Sequence, residues 1–343
     1  MKKLLFCLFF ISSFATQAQV TINSISDSAI ANYLQGSGIN ISNLAINCDS
    51  QAYGQMTTAV SSFPMGDGLV LSTGIASQIA NPSTFFASAM FGNAADQDIS
   101  NSVGYQTYDA CALEFDAIPT FGNIFFEYVW GSEEYPEFIC NFNDAFLLLI
   151  SGPGINGTYL NNATNIAILP DSSTIVSINT VHDNTVGTSC PTPFDSLYVD
   201  NSTDTTITFD GYTQLLTAGI NLTAGATYHF KIVVADVMDG IFDSGVFLLQ
   251  NSVRSMGVTN NAAIADLSSL VSVFPNPAQD GIFTIESDEI LNMQSVEIFD
   301  LSGRSVPFSF SGIGNRMTLR LINPAKGFYH LKVGNSYKKI SVE

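Results

Sequence analysis

Short apolar runs of strand length, separated by clusters of Gly, Pro, Asn and Asp, occur along most of the chain. In the run CALEFDA at 111–117, apolar and acidic residues alternate with the period of two that places successive side chains on opposite faces of a strand. Similar runs occur at 125–130, 145–150, 165–170, 174–181, 205–210, 227–237 and 245–250. Many short strands with little helical periodicity predict an all-β protein whose body is a jelly-roll-like β-sandwich.

The segment 125–153 is central to this pattern, because an acidic loop separates two of its apolar runs. In FFEYVW, Phe126, Tyr128 and Trp130 share one face while Glu127 lies on the other, which is typical of a half-buried strand. The second run, AFLLLI, is apolar on both faces and predicts a central strand. We therefore expect the two runs to lie together in the middle of one antiparallel sheet, with the acidic loop at its rim.

The first residues, MKKLLFCLFFISSFATQAQV, have the composition of a secretory signal peptide. Lys2 and Lys3 precede an apolar run at 4–14, which is shorter than the ~20 residues that a membrane-spanning helix needs. Small residues precede a predicted cleavage between Ala18 and Gln19. We expect export and no integral membrane segment in the mature chain.

The full chain has a formal net charge of −19, and charged residues divide the part that follows the predicted signal peptide into two. Residues 19–252 contain 22 Asp and Glu and a single cation, Lys231, whereas 268–343 contains seven acidic and seven basic residues. This difference predicts a signal peptide at 1–18, an acidic β domain at 19–252, a linker at 253–267 and a C-terminal domain at 268–343.

The shortage of cations limits the partners of the acidic body. Nucleic acids and anionic lipids are bound through clusters of Lys and Arg, so neither is an expected partner. Salt bridges cannot neutralise most of the carboxylates, which must be solvated or bind backbone N–H groups or cations. Hard divalent cations prefer such oxygen ligands.

Four cysteines, Cys48, Cys111, Cys140 and Cys190, remain after the signal peptide is removed. An even number in an exported chain predicts disulfides, and four cysteines allow three pairings. We favour pairing in chain order, Cys48 with Cys111 and Cys140 with Cys190. A cysteine nucleophile partnered by His182 is the alternative, although an exposed thiol would not stay reduced outside the cell.

The C-terminal part resembles the type A sorting domain of the type IX secretion system over 272–343. The motif positions are Pro275, Asn276, Pro277, Asp300, Gly303, Arg304, Gly327, Tyr329, Lys338 and Lys339. The resemblance implies a small β-sandwich, a Gram-negative bacterium, Sec export and passage through the outer membrane by the type IX machinery. It also implies that the domain is often removed and the cargo attached to surface lipopolysaccharide.

The acidic body resembles the choice-of-anchor L domains, which are extracellular β-rich domains joined to alternative anchoring or sorting tails. The resemblance spans about 67–249 and rests on the segments 66–74, 113–116, 131–138, 142–146, 151–154 and 235–244. It implies a surface or adhesion-type module and no established reaction.

Two groups of acidic residues are candidate metal ligands. They are Asp236, Asp239 and Asp243 around Gly240, and Glu133, Glu134, Glu137 and Asp144 in the acidic loop. Calcium binds about six to eight oxygens, which one loop could supply together with carbonyls and water, and solvated acidic turns are the alternative. A structural Ca²⁺ is the one cofactor that the sequence suggests.

Glycan hydrolysis is the runner-up activity, because two carboxylates across a groove can act as acid and base. Glu133 or Glu134 with Glu137 would be the pair, and Trp130 and Tyr135 would stack on sugar rings. His182, His229 and His330 are far apart, and no HExxH or GxSxG motif occurs. We predict no catalytic residue and favour an exported binding or adhesion module over an enzyme, with a surface polysaccharide or another extracellular molecule as its ligand.

Overall fold

A computed structural model of the chain describes residues 20–59, 62–80, 86–171, 173–203, 206–256, 271–287, 296–313, 316–333 and 336–343. Strands dominate these residues, and the predicted all-β class is confirmed. The helices are α1 (Asp27–Leu34), α2 (Ala76–Ile79) and α3 (Gln97–Val103), with single 3₁₀ turns at Leu160–Asn162 and Asp195–Leu197. The predicted signal peptide and its cleavage site lie outside the described residues.

Two antiparallel sheets form the body. The front sheet contains β1 (Val20–Asn23), β3 (Tyr53–Thr58), β4 (Gly68–Ser72), β14 (Ser244–Leu249), β6 (Asn123–Ser132) and β12 (Leu216–Asn221), in this order, with β10 (Tyr198–Asp200), β11 (Gly211–Thr213) and β15 (Arg254–Met256) as short additions. The back sheet contains β2 (Ile39–Asn47), β5 (Thr107–Pro119), β13 (Tyr228–Val237) and β7 (Ala145–Ser151), followed by the two short strands β8 (Thr164–Asn165) and β9 (Val176–Ser177). Strand β15 falls in the predicted linker and pairs with β6, so the front sheet extends beyond residue 252.

The main core lies between the inward faces of these sheets. Tyr128 of β6 packs against Phe146 of β7, with ring centroids 5.1 Å apart. The prediction that these two runs are neighbours in one sheet is therefore wrong, because β6 belongs to the front sheet and β7 to the back sheet. The acidic loop between them crosses the sandwich. Periodicity identifies the inward face of each strand but carries no information about which sheet the strand joins.

Strand β6 is buried on both faces, and the half-buried strand predicted for it is also wrong. On the outer face, Val129 joins a second core with Phe209 and Phe247, and Phe125 packs into the core of the C-terminal domain. Strand β7 has partners on both sides and two buried faces, as its apolar pattern predicted.

Two disulfides join Cys48 to Cys111 and Cys140 to Cys190, which confirms the pairing in chain order. His182 is buried with its Nε2 3.8 Å from Cys190 Sγ. Because that sulfur is bonded to Cys140, the structure contradicts a cysteine nucleophile partnered by His182.

The C-terminal domain is a small sandwich, as predicted. One sheet contains β16 (Val271–Phe274), β17 (Ile282–Ser287), β20 (Arg316–Leu321) and β19 (Phe308–Ile313), and the other contains β18 (Val296–Asp300), β21 (Gly327–Val333) and β22 (Ser336–Val342). Its core includes Phe283, Phe308 and Leu331.

The two domains share one continuous sheet. Strand β19 pairs antiparallel with β12, so that Phe310 lies opposite Gly219. The Phe310 and Phe125 rings are 5.2 Å apart, and Ser311 donates a hydrogen bond of 3.3 Å to the carbonyl of Leu169. The outer edge of β12 is therefore covered by the C-terminal domain.

Candidate functional site

Strand register brings the two predicted acidic groups to the same end of the body. The end of β13 lies beside the start of β7, where Ala235 pairs with Ala145. The start of β14 likewise lies beside the end of β6, where Ser244 pairs with Ser132. The buried carboxylates that meet here form what we call the acidic cluster: Asp109, Glu133, Glu134, Asp144, Asp236 and Asp243.

Asp144 has defined hydrogen-bond partners within this cluster. Its Oδ1 accepts from the N–H of Val237 at 2.8 Å, and its Oδ2 accepts from the hydroxyl of Ser244 at 2.7 Å. The Ser244 hydroxyl lies 2.8 Å from that of Ser132, which accepts from the N–H of Glu134 at 2.9 Å. A hydroxyl network thus connects the acidic loop to the start of β14.

Asp243 and Asp236 form hydrogen bonds with two further segments of the chain. Asp243 Oδ1 accepts from the N–H of Ala89 at 2.9 Å, and the Asp243 N–H donates to the carbonyl of Ala87 at 2.9 Å. Asp236 follows a break in the pairing of β13 with β5 and is hydrogen-bonded by the Thr73 side chain. The cluster is therefore surrounded by several separate pieces of chain.

Three residues of the cluster, apart from Glu133, have a buried side-chain oxygen with no hydrogen-bond partner among the described residues. These oxygens are Glu134 Oε2, Asp236 Oδ1 and Asp243 Oδ2. Each of these residues exposes 2% or less of its surface. Because an unpaired buried carboxylate oxygen costs free energy, these atoms need a proton or a cation from outside the protein.

Burial raises the pKa of several of these groups. It raises the pKa of Glu134 to about 9, with further contributions from the charges of Asp144 and Asp239. It raises the pKa of Asp243 to about 7, although the hydrogen bond from Ala89 opposes the shift. Burial is also the main cause of the raised pKa values of Asp144 and Asp236. The cluster can hold protons or a cation, but it cannot hold all of its negative charges alone.

The predicted ligands divide into those inside and those outside this cluster. Glu137 is exposed on the outer part of the acidic loop, and Asp239 is half-buried with its Oδ1 accepting from the N–H of Ile241 at 3.1 Å. Asp109 belongs to the cluster and was missed by sequence reasoning. It is buried at a φ of 44°, and its Oδ1 accepts from the N–H of Asn93 at 2.7 Å. Its position directly before the alternating run at 111–117 was the one available signal.

The geometry does not fit the glycan-hydrolase alternative. Trp130 and Tyr135 are fully buried and pack against each other, with ring centroids 5.8 Å apart, so they cannot stack on a sugar. Glu133 and Glu134 are buried while Glu137 faces solvent. These residues therefore do not place two carboxylates opposite each other across an open groove, as a glycoside hydrolase requires.

Other acidic side chains of the body have nitrogen-bearing partners on the back sheet. Lys231 bridges Asp96 at 2.5 Å and Asp98 at 2.8 Å. The ring nitrogens of His229 lie 2.9 Å from Asp116 and 3.1 Å from Glu114. The third histidine, His330, lies in β21 of the C-terminal domain. These partnered acids contrast with the acidic cluster.

Exposed apolar side chains surround the acidic cluster and form what we call the apolar rim: Phe86, Met90, Tyr105, Tyr108, Met238 and Ile241. The Ser88 hydroxyl donates to the Ile241 carbonyl, and the Phe86 and Phe242 rings are 5.8 Å apart, so two of its segments run together. The Met238 N–H donates to the Gln106 carbonyl at 2.9 Å, which joins the third segment.

Several positions of the C-terminal motif have structural contacts. Asn276 donates to the carbonyl of Lys339 at 2.9 Å and accepts from the N–H of Ser341 at 3.0 Å. Tyr329 donates from its hydroxyl to the Ala325 carbonyl at 2.6 Å, and the Lys339 ammonium lies 3.6 Å from the centre of the Phe328 ring. These residues hold the sandwich together.

Comparison with known families gives two matches that divide the chain between them. The choice-of-anchor L domain matches residues 16–254, which is more than half of the chain. The chain belongs to the choice-of-anchor L domain family. The secretion system C-terminal sorting domain matches residues 272–343 of this choice-of-anchor L protein. The search of curated proteins found no match.

The matched families give the route and the general location of this choice-of-anchor L protein. The sorting domain assigns it to type IX secretion, and the two domains together indicate a secreted or cell-surface protein. Neither family is an enzymatic one. Among the described residues, no helix has the length and apolar character needed to cross a bilayer.

Proposed function

We propose that the choice-of-anchor L body is a binding or adhesion module, displayed on or released from the outer surface of a Gram-negative bacterium. The apolar rim is the observation that carries this proposal. Six large apolar side chains are 40% or more exposed at one end of the sandwich. Exposed apolar groups collected on one surface are typical of binding sites.

The chemistry of the rim favours an uncharged polysaccharide as the ligand. The body's two basic residues among those described, Lys231 and Arg254, are already paired, with Asp96 and Asp98 and with Glu127 respectively, so anionic ligands would be repelled. Phe86, Tyr105 and Tyr108 are exposed aromatic residues, and a tyrosine combines an apolar ring with a polar hydroxyl. Such side chains suit the apolar faces and hydroxyl groups of sugar rings.

The test is binding of the purified full chain to an array of neutral polysaccharides, with sugar release measured in parallel. A double variant, Phe86→Ala with Tyr105→Ala, removes two rings whose side chains are 62% and 55% exposed. We expect at least a tenfold loss of affinity, because an anchor residue of a binding site typically contributes more than about 1 kcal/mol.

The matched control is Leu301→Ala with Tyr337→Ala, which removes two exposed apolar side chains of the C-terminal domain. Equal losses in both double variants would contradict the proposal. Binding to a protein and to no polysaccharide would keep the rim as the site but replace the ligand. Sugar release that disappears in Glu134→Gln would instead support the hydrolase.

A further inference from the structure

The acidic cluster lacks the cations that normally accompany buried carboxylates. Within the described residues, no salt bridge reaches Glu134, Asp144, Asp236 or Asp243, and Lys231 is bound elsewhere. Removing a charge from water without a partner costs several kcal/mol, so a native protein compensates it. Hydroxyl and N–H donors compensate Asp144, but one side-chain oxygen each of Glu134, Asp236 and Asp243 has no hydrogen-bond partner.

We propose that this cluster binds one Ca²⁺ ion, with Asp236, Asp243 and Glu134 supplying the unpartnered oxygens and Asp109 and Asp144 completing the negative surroundings. The side chains that meet at the cluster are carboxylates and hydroxyls, which favour a hard cation over a metal that prefers nitrogen or sulfur. Calcium tolerates irregular geometry and fills its remaining positions with carbonyl oxygens and water.

The ion would have to draw these oxygens together. No group of three or more His, Cys, Asp or Glu side chains among the described residues already converges as the ligands of one metal do. Like charges separate when nothing lies between them. Asp109 and Asp236 are near each other, because their Oδ2 atoms lie 3.1 Å and 3.8 Å from the position that a Cβ would take on Gly240. The charges of Asp144 and Asp243 also act on Asp236, and that of Asp144 acts on Glu134.

Calcium at this position would also order the apolar rim. Asp243 holds the segment 87–89 through two hydrogen bonds, and the segment 238–242 connects Asp236 to Asp243. Phe86 and Met90 of the rim flank the first segment, and the second segment carries Met238 and Ile241. Fixing the two carboxylates would fix the loops that display Phe86, Met238 and Ile241. The cation site itself does not depend on which ligand the rim binds.

The experiment is a thermal melt of the full chain after EDTA treatment, with and without about 10 mM CaCl₂, together with calorimetric titration of Ca²⁺ alone. Extracellular calcium modules have Kd values of roughly 0.1–1 mM. At a free concentration of about 100 Kd, we expect Tm to rise by about 5–10 °C. We expect a stoichiometry of about one ion per chain and protection of 86–93 and 238–242 from hydrogen exchange when calcium is added.

Two variants separate binding from general damage. Asp236→Asn keeps the size of the side chain but removes one charge, so it should lose the calcium response. In EDTA it should melt at or above the temperature of the unchanged protein, because a repulsive buried charge is gone. Glu137→Gln removes an exposed acid from the same loop and should keep the full response.

Three results would overturn the proposal. One is the absence of both heat of binding and Tm shift at 10 mM CaCl₂. Another is a calcium response that survives in Asp236→Asn. The third is an equal shift with MgCl₂, which would show that any divalent ion screens the acidic surface, since the smaller Mg²⁺ requires a stricter octahedral site. All three are measured without a polysaccharide and are therefore independent of ligand binding at the rim.

Discussion

The body and the sorting domain satisfy their carboxylates in different ways. In the sorting domain, exposed Asp300 accepts from the N–H groups of Ser302 at 2.8 Å and Arg304 at 3.0 Å. These bonds, together with one from the Ser302 hydroxyl, lower the pKa of Asp300. In the body, burial raises the pKa of Asp236 well above its usual range. The same residue type is held charged in one domain and disfavoured as a charge in the other.

The two domains also differ in their supply of cations. The sorting domain has a basic residue for each acidic one, and Lys332 pairs with Glu297 across neighbouring strands at 2.5 Å. In the body, the 22 acidic residues of 19–252 have Lys231 and, at the end of the front sheet, Arg254, which pairs with Glu127 at 2.5 Å. The stability of the body therefore depends on these two pairings and on what neutralises the acidic cluster, whereas the sorting domain does not depend on any single pair.

Replacing Lys231 by Met should have the largest effect of the changes considered. Asp98, whose side chain is 3% exposed, would remain buried without its cation. Breaking a buried ion pair on one side costs about 3–5 kcal/mol, and we expect the body to lose about 3 kcal/mol of unfolding free energy. The measurement is the denaturant midpoint of the full chain.

Lys332→Met in the sorting domain is the matched control. Its pair with Glu297 is partly exposed, and such pairs contribute about 0.5 kcal/mol. Adding Asp98→Asn to Lys231→Met should restore part of the lost stability, because the buried charge is removed together with its partner. Similar losses for the two lysine variants would contradict the difference drawn between the domains.

The sequence predicted the parts of this protein that depend on local pattern. Alternation at 111–117 and in 125–130 identified strands and their inward faces, and cysteine order identified the two disulfides. It did not predict that β6 and β7 lie in opposite sheets, because alternation is the same whichever partner a strand takes. It also did not predict the second buried face of β6, since Phe125 is covered by residues almost 200 positions later.

Local pattern likewise did not predict which residues come together in the acidic cluster. Counting charges predicted that some carboxylates would need unusual partners, and Asp236, Asp243, Glu134 and Asp144 were all named. Their meeting depends on the register of β13 with β7 and of β14 with β6, which joins residues about 100 positions apart. Glu137 was named because it shares a loop with these residues, yet it points to solvent. Asp109 was missed because it lies outside both loops.

Gly74→Ala tests how closely the body packs around this cluster. A Cβ on Gly74 would lie 1.9 Å from Asp243 Oδ2, so the carboxylate would have to move. Overpacking costs about 1–3 kcal/mol, and we expect about 2 kcal/mol in the denaturant midpoint of the body. Gly66→Ala is the control, because the nearest atom to its Cβ is 4.0 Å away. Equal midpoints for the two variants would show that Asp243 moves freely and that the cluster is loosely built.

Gly219→Ala tests whether the two domains behave as one unit, and its expected effect is the smallest. A Cβ on Gly219 would lie 1.9 Å from the Phe310 ring, at the point where β12 pairs with β19. The ring can tilt away, so we expect a loss of about 1 kcal/mol, confined to the contact between the domains.

Hydrogen exchange measures this effect directly. The N–H groups of β19 that face β12 should exchange faster in Gly219→Ala, while those of β7 and β13 in the back sheet keep their rates. Faster exchange in both regions would mean that the junction supports the body as well as covering its edge. In that case the stability of the body would also depend on the sorting domain through the shared sheet. Removing the sorting domain would then lower the unfolding free energy of the body.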